Sequence, residues 1–171
     1  MELPSADPER LASHVGALTD ALDTERRLLE ELIRVLLAQR EGISSDDLDA
    51  LDESVFAAHR IFRTLTEARQ RRRTLLQLVG APEDLRVTDL ESTLGDLVTP
   101  ELKASCGALL ESAAMLAREL RVNRHVIDGA MAVGQSLLEI FTGTGQEPTT
   151  YAEGAEPKKG GGPGAILNTR V

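Results

Sequence analysis

Aromatic residues are nearly missing from this sequence, in which they make up 2% of the 171 residues, and tryptophan is absent. This scarcity argues against a β-sandwich and against an aromatic-lined ligand pocket. Hydrophobic residues nevertheless make up 42% of the chain, and most of them are leucine, alanine and valine. Such a composition is sufficient to bury a core and is typical of a helical bundle or a coiled coil.

Residues with catalytic or metal-binding chemistry are equally scarce. The single cysteine, Cys106, cannot form an internal disulfide, which fits a reducing compartment. Because Cys106 lies on an apolar helical stripe, we expect its side chain to be a small, buried apolar group rather than a nucleophile. The histidines His14, His59 and His125 show no metal-ligand spacing. The sequence therefore predicts no catalytic residue, no metal site and no cofactor, in a protein that is not an enzyme.

The chain is acidic, with a net charge of −9. This charge disfavours binding to nucleic acid or to an anionic membrane, and it favours a basic or apolar partner. The opening MELPSADPER contains no basic region followed by an apolar run, so we expect no signal peptide. No stretch approaches the roughly 18 apolar residues of a membrane span. We therefore expect a cytoplasmic protein without membrane insertion.

Capping signals and heptad repeats predict three long helices and one short helix. Their expected limits are about 8–41, 45–79, 88–98 and 99–142. We expect Gly42 to end the first helix as a left-handed cap, and Ser44 or Ser45 to cap the second. Gly80-Ala81-Pro82 is expected to end the second helix, and Thr99-Pro100 to begin the long final helix. The predicted fold is all-α. It is an elongated antiparallel helical hairpin plus a long C-terminal helix, together a three-helix coiled-coil-like bundle.

This bundle is expected to form a single domain at 1–142, followed by a Gly/Pro-rich tail at 143–171. The tail has few apolar residues, so burial cannot offset the entropy lost on ordering, and we expect a flexible, disordered segment. Its glycine-rich stretch at 160–164 is not followed by Lys-Ser/Thr and reads as a linker rather than a phosphate loop.

One basic run, Arg69–Arg73, has two interpretations. It could contact an anion or a nucleic acid, but no aromatic residues interleave it and the whole chain is acidic. The predicted core seam of the second helix consists of Leu48, Leu51, Val55, Ala58, Phe62, Leu65, Arg69, Arg72, Leu76 and Val79. In the favoured interpretation of the basic run, Arg69 and Arg72 pair across the hairpin. The available partners are acids of the first helix such as Glu25, Glu30 or Glu31, of which Glu25 is the one break in the heptad seam of that helix.

An apolar seam runs along the final helix in alternating steps of four and three. Its members are Leu102, Cys106, Leu109, Ala113, Leu116, Leu120, Asn123, Ile127, Ala130, Gly134, Leu137 and Phe141. Asn123 is the only strongly polar member of the seam. An asparagine there can fix the helix register or the choice of partner. Alternatively, it marks the end of the bundle, where its side chain reaches water.

The last third of the final helix carries a second apolar series. Its members are Val122, Val126, Ala130, Val133, Leu137 and Ile140, with Met131, Leu138 and Phe141 nearby. Gly129 and Gly134 lie in the same stretch, and each costs roughly 1 kcal/mol relative to alanine within a helix. We interpret this region as an exposed surface for a partner helix. The alternative is burial in a homodimer or against the N-terminal half of the first helix.

Four stretches of the chain form a pattern known from one protein family. They are the leucine-rich opening LTDALDTERRLLEELIRVLLAQREGI, the second helix, the late stretch LARELRVNRHVIDGAMAVGQSLLEIF with Asn123-Arg124, and the tail Thr150–Gly154 with its Tyr-x-x-Gly. In these stretches the sequence resembles the FlgN-type flagellar export chaperones, which are small, acidic, all-helical cytoplasmic proteins. The sequence departs from the family pattern in Gly129, Gly134 and the long GGGPG segment.

The resemblance implies a substrate-specific chaperone of flagellar type III export. Such a protein binds the C-terminal helices of hook-associated (hook–filament junction) proteins, prevents their premature assembly and delivers them to an export-gate component. Tyr151 becomes the candidate for export-gate docking. The client-binding candidates are Asn123, Val122, Val126, Ala130, Val133, Leu137, Ile140 and Phe141. The alternative function is a structural coiled-coil adaptor or a homo-oligomeric scaffold, and a homodimer is possible under either.

Overall fold

The computed structural model describes residues 8–142. Four α-helices follow one another in this range: α1 Pro8–Ser45, α2 Leu48–Leu78, α3 Leu90–Leu94 and α4 Pro100–Thr142. Single 3₁₀ turns, Val87–Asp89 and Gly95–Leu97, flank α3. No strand occurs among the described residues, and the prediction of an all-α fold with a long C-terminal helix is confirmed. The predicted tail at 143–171, including Tyr151, lies outside the described residues.

The turn between α1 and α2 differs from the prediction. Gly42 does not end α1 but lies buried within it, and the helix continues to Ser45. Asp46 takes up the positive φ of 55° that ends the helix, and the Asp47 side chain caps α2 by accepting from the Ala50 N–H at 3.0 Å. A Cβ on Gly42 would lie 3.4 Å from the Asp47 carbonyl oxygen. Glycine here therefore suits the close approach of two helices instead of a helix end.

Two other helix ends agree with the sequence signals. Gly80 follows α2 with a φ of 80°, a conformation that glycine adopts without steric penalty. Thr99 precedes α4, and its hydroxyl accepts a hydrogen bond from the Leu102 N–H at 3.2 Å. Pro100 then occupies the first position of the helix, where its missing N–H leaves no hydrogen bond unmade.

The core lies between α1 and α2 and extends under α3 and the first turns of α4. The two helices run antiparallel, since a turn of two residues joins them and Arg72 of α2 contacts Glu25 of α1. The buried apolar residues of the cluster are Val15, Leu18, Ala21, Leu22, Leu29, Leu65, Leu75, Leu76, Val79, Ala81, Leu90, Leu94, Leu102, Cys106 and Leu109. The leucine-rich composition thus forms one continuous core.

α4 runs parallel to α1, as two contacts between them show. Arg40 of α1 donates from Nη2 to the Glu119 carboxylate of α4 at 2.6 Å. Nearer the start of both helices, the Ser112 hydroxyl donates to Glu30 at 3.4 Å. Residues later in α1 therefore meet residues later in α4, and the three long helices alternate in direction along the chain.

The chain divides into two compact units, Met1–Val133 and Gly134–Val171. The described part of the first unit is 8–133, and it contains α1, α2, α3 and most of α4. The described part of the second unit is 134–142, the last turns of α4. Among residues 8–142, no helix combines the length and the apolar character that crossing a bilayer requires.

Candidate functional site

The side of α4 that faces α1 follows a heptad register different from the predicted seam. Leu102, Ser105, Leu109, Ser112 and Asn123 are buried in this register, and Cys106 of the predicted seam is buried beside them. Leu116 and Glu119 complete the register and are half-buried. The predicted seam is wrong at Ala113 and Leu120, which are exposed. The core-facing register reaches Asn123 in steps of three and four, and continues beyond it.

Continued past Asn123, the same register passes through residues that were predicted as the second apolar series. Val126 is half-buried, Ala130 is exposed, and Val133 is 62% exposed. These three positions carry apolar side chains, as in a helix–helix contact. The rest of the first unit does not fully bury them. Neither Gly129 nor Gly134 would place a Cβ within 4 Å of another atom. No close neighbour within the described chain therefore accounts for these two glycines.

Asn123 is part of the interface between α1 and α4. It is 3% exposed, and its Nδ2 group donates to Oε1 of Gln39. Of the two interpretations left open by the sequence, the structure therefore supports the one in which Asn123 joins two helices. Its other polar atom, Oδ1, is buried and has no hydrogen-bond partner among the described residues. A buried acceptor without a donor costs stability.

An apolar groove lies beside this interface, where the turn of the hairpin meets α4. All its lining residues belong to the first unit: Gln39, Ile43, Leu51, Asp52, Val55, Ile127, Ala130 and Met131. We call it the hairpin groove; its volume is about 440 Å³. Val55 and Met131 are 50% and 61% exposed, so apolar side chains on both α2 and α4 face solvent at its edges. Of the sequence-predicted site residues, only Ala130 lines this groove.

The α2 side of the hairpin groove continues as an exposed apolar row at heptad spacing. Leu48, Val55 and Phe62 are 70%, 50% and 49% exposed. The sequence assigned these three residues to the core seam of α2, and that assignment is wrong. The structure instead buries Ser54, Ile61, Ala68 and Leu75 of a neighbouring row. The seam prediction is confirmed at Leu65, Leu76 and Val79, which are buried. The heptad spacing of this apolar row was the feature of the sequence that indicated the groove. It was interpreted as the core side of α2 instead.

The second unit presents the remaining client-binding candidates. Leu137, Ile140 and Phe141 are 49%, 73% and 84% exposed, and Leu138 is exposed beside them. Val122, in the first unit, is 44% exposed. Apart from Asn123 and the half-buried Val126, every client-binding candidate therefore offers its side chain to solvent.

The contacts of its arginines bear on the two interpretations of the basic run, Arg69–Arg73. Arg72 donates from Nε to Glu25 of α1 at 2.7 Å, and it lies 3.5 Å from the carbonyl oxygen of Leu85. The predicted pairing across the hairpin is thus confirmed for Arg72. Arg69, predicted on the seam, is exposed, as are Arg71 and Arg73.

Cys106 has the environment of a core residue. Its thiol is buried, and this burial, followed by the nearby charge of Glu91, raises its pKa. A raised pKa keeps the thiol protonated near neutral pH and lowers its reactivity. Within residues 8–142, no group of three or more histidine, cysteine, aspartate or glutamate side chains is placed to hold a metal ion. The hairpin groove and the late part of α4 therefore offer apolar contact surface as their principal chemistry.

The sequence of this helical chain is related to one known protein family. A family model described as FlgN protein matches residues 14–159. The match includes nearly all of α1 and the whole of α2, α3 and α4, and so covers well over half of the chain. Neither the curated proteins nor the solved structures compared with the chain gave a match.

Proposed function

The chain belongs to the FlgN family of flagellar export chaperones, and we propose that its clients are hook-associated (hook–filament junction) proteins. In this proposal it binds their C-terminal helices in the cytoplasm, keeps them unassembled and delivers them to the export gate. FlgN proteins are a chaperone family and are not known as enzymes. The function therefore requires a binding surface that releases its client, and no catalytic residue.

The observation that carries the proposal is the hairpin groove with its two exposed apolar edges. Val55 lies on the α2 edge and Met131 on the α4 edge, and each is at least half exposed. Apolar surface gains roughly 25 cal/mol for each Å² removed from water, so a matching apolar face is the favoured occupant. Proteins that polymerise through amphipathic terminal helices present such a face before assembly. A groove between helices binds it in the helix-in-groove mode.

The register of α4 supports a helix as the bound element. Asn123 is buried against Gln39 of α1, whereas Val133, ten residues later on the same side of α4, is 62% exposed. Heptad positions pack against another helix along their length. A client helix beside Val126, Ala130 and Val133 would supply the missing neighbour. In the second unit, Leu137, Ile140 and Phe141 are exposed apolar residues and remain candidates for further client contacts.

Asn123 has a more limited role in this proposal than the apolar candidates. Its buried Oδ1 lacks a donor, and its Nδ2 is bonded to Gln39, which lines the hairpin groove. Because Asn123 is buried, it would act on client binding indirectly, by fixing the position of α4 against α1 beside the client surface. Tyr151 remains the proposed contact to the export gate, on the resemblance alone.

The test compares substitutions at two exposed apolar positions of α4. Val133→Asp introduces a charge on the proposed surface, and Met115→Asp is the matched control, since Met115 is 50% exposed and lies outside it. The probe is a synthetic peptide of the C-terminal helix of a hook-associated protein from the same organism, titrated by calorimetry. Val133→Asp is expected to weaken binding by about tenfold or more, and Met115→Asp by about twofold or less.

A second measurement separates the chaperone from a homo-oligomeric scaffold. Light scattering on the free chain and on its mixture with the peptide gives both stoichiometries. A one-to-one complex that survives truncation after Thr142 supports the proposal, because the tail is assigned to the export gate. A tight homodimer that Val133→Asp dissociates, with no binding of the peptide, would instead establish the scaffold.

A further inference from the structure

A second apolar pocket lies in the first unit, where α1 begins and α4 begins. Its lining residues are Pro8, Leu11, Ala12, Val15, Gly16, Thr19, Asp20, Asp96, Leu97, Thr99 and Glu101. We call it the N-terminal pocket; its volume is about 560 Å³. It shares no lining residue with the hairpin groove and contains none of the client-binding candidates. The proposed client surface therefore does not account for it.

The floor of the N-terminal pocket has the form of a helix-binding face. Leu11, Ala12, Val15 and Gly16 recur at one-turn intervals on a single side of α1. Ala12 and Gly16 are one turn apart, and a Cβ on Gly16 would meet no atom within 4 Å. Small side chains in this arrangement allow the side chains of a second helix to approach closely, as in ridge-into-groove packing.

The rim of the same pocket carries negative charge only. Asp20, Asp96 and Glu101 are the charged lining residues, and all three are exposed. None of these carboxylates forms an ion pair with a basic side chain in the described part of the chain. An apolar floor between uncompensated carboxylates is complementary to an apolar stripe between basic residues. The overall charge of −9 adds to the attraction of a basic partner over longer distances.

We propose that the N-terminal pocket docks a basic amphipathic helix of a partner protein. The apolar stripe of that helix packs over Ala12 and Gly16, and its lysine or arginine side chains pair with Asp20, Asp96 and Glu101. The chain's own residues 1–7, MELPSAD, are a poorer fit because Glu2 and Asp7 are acidic and no lysine or arginine is present. The pocket thus gives the protein a second binding surface, which recognises charge as well as apolar shape.

The experiment uses the full chain and two designed peptides of equal length. Both carry a heptad leucine stripe; one has lysines on its flanks and the other has glutamates. Gly16→Leu places a bulky side chain on the floor, where an added Cβ would meet no atom within 4 Å. Gly107→Leu is the matched control, because Gly107 is also a helical glycine at which an added Cβ would meet no atom within 4 Å, and it lies outside the pocket. Asp20→Lys reverses one rim charge, and Glu53→Lys reverses an exposed charge elsewhere. Fluorescence anisotropy measures binding, and circular dichroism checks that each variant folds.

The proposal predicts that the lysine peptide binds and the glutamate peptide does not. Gly16→Leu and Asp20→Lys should each weaken binding by about tenfold, and the two control variants by about twofold or less. Equal binding of both peptides, or equal effects of Gly16→Leu and Gly107→Leu, would overturn it. A gain in affinity of more than about tenfold on removing residues 1–7 would make that segment the occupant and also overturn it. Binding of the hook-associated peptide to Gly16→Leu is unchanged if the two surfaces are separate.

Discussion

Arg72 on α2 and Glu25 on α1 form a largely buried ion pair across the helical hairpin. Their Nε and Oε1 atoms are 2.7 Å apart, and the two side chains are 14% and 5% exposed. Removing one member of a buried pair leaves the other charge without a partner in the core, which costs about 3–5 kcal/mol. The one interruption in the heptad of α1 is therefore matched by an arginine on the opposite helix.

Loss of this pair is predicted to destabilise the fold selectively. Arg72→Met should lower the free energy of unfolding by about 3 kcal/mol or more. Arg71→Met, at the neighbouring exposed position, should change it by less than about 0.5 kcal/mol. Urea unfolding followed by circular dichroism measures both variants. Equal effects of the two substitutions would show that the pair contributes no stability.

Cys106 is predicted to react only when the chain unfolds. Burial raises its thiol pKa, so the folded state favours the protonated form. The resulting contribution to stability is complete below the unfolded thiol pKa and is lost as pH rises through the folded value. A disulfide reagent at pH 8 should therefore modify native protein at the rate of its unfolding, and urea should accelerate the modification. Rapid modification of the fully folded chain would contradict the assignment of Cys106 to the core.

Asn123 and Gln39 are predicted to trade stability for specificity. Replacing both by leucine removes the pair together with the unpartnered Oδ1, and should raise the free energy of unfolding by about 1 kcal/mol. Asn123→Leu alone should weaken client binding, because it removes the amide contact that fixes α4 against α1. Unfolding curves and peptide titrations on the same variants separate the two effects. A double variant that is less stable than the parent chain would show that the amide pair is a net stabilising contact.

The sequence predicted the helices and the pairing of Arg72 because both depend on local signals or on spacing. Caps such as Thr99, breakers such as Gly80, and heptad leucines act within one helix. An antiparallel hairpin brings the acids of α1 near the arginines of α2. The sequence left Glu25, Glu30 and Glu31 open as partners, and the structure pairs Glu25 with Arg72. These features required no knowledge of the third long helix.

The faces of α2 and α4 were misassigned because polar residues occupy buried positions. Ser54 is buried, and its hydroxyl donates a hydrogen bond to the Leu51 carbonyl oxygen at 2.6 Å. Its side chain can therefore pack in the core without a polar partner on another helix. Ser112 is also buried on α4, where its hydroxyl donates to Glu30 of α1, while Leu120 one row away is 42% exposed. A search for apolar periodicity prefers leucine to serine and so selects the neighbouring row. Val55, one of the exposed residues that were mistaken for core, lines the hairpin groove.

Methyl NMR of the full chain, with and without the hook-associated peptide, tests the central claim most directly. The client helix is proposed to lie on the hairpin groove and beside Val126, Ala130 and Val133 of α4. The methyl groups of Val55, Ile127 and Met131 should therefore shift and show intermolecular contacts with the peptide. Leu11 and Val15 in the N-terminal pocket should remain unchanged. Contacts confined to Leu11 and Val15, or peptide binding that leaves the groove methyls undisturbed, would contradict the account.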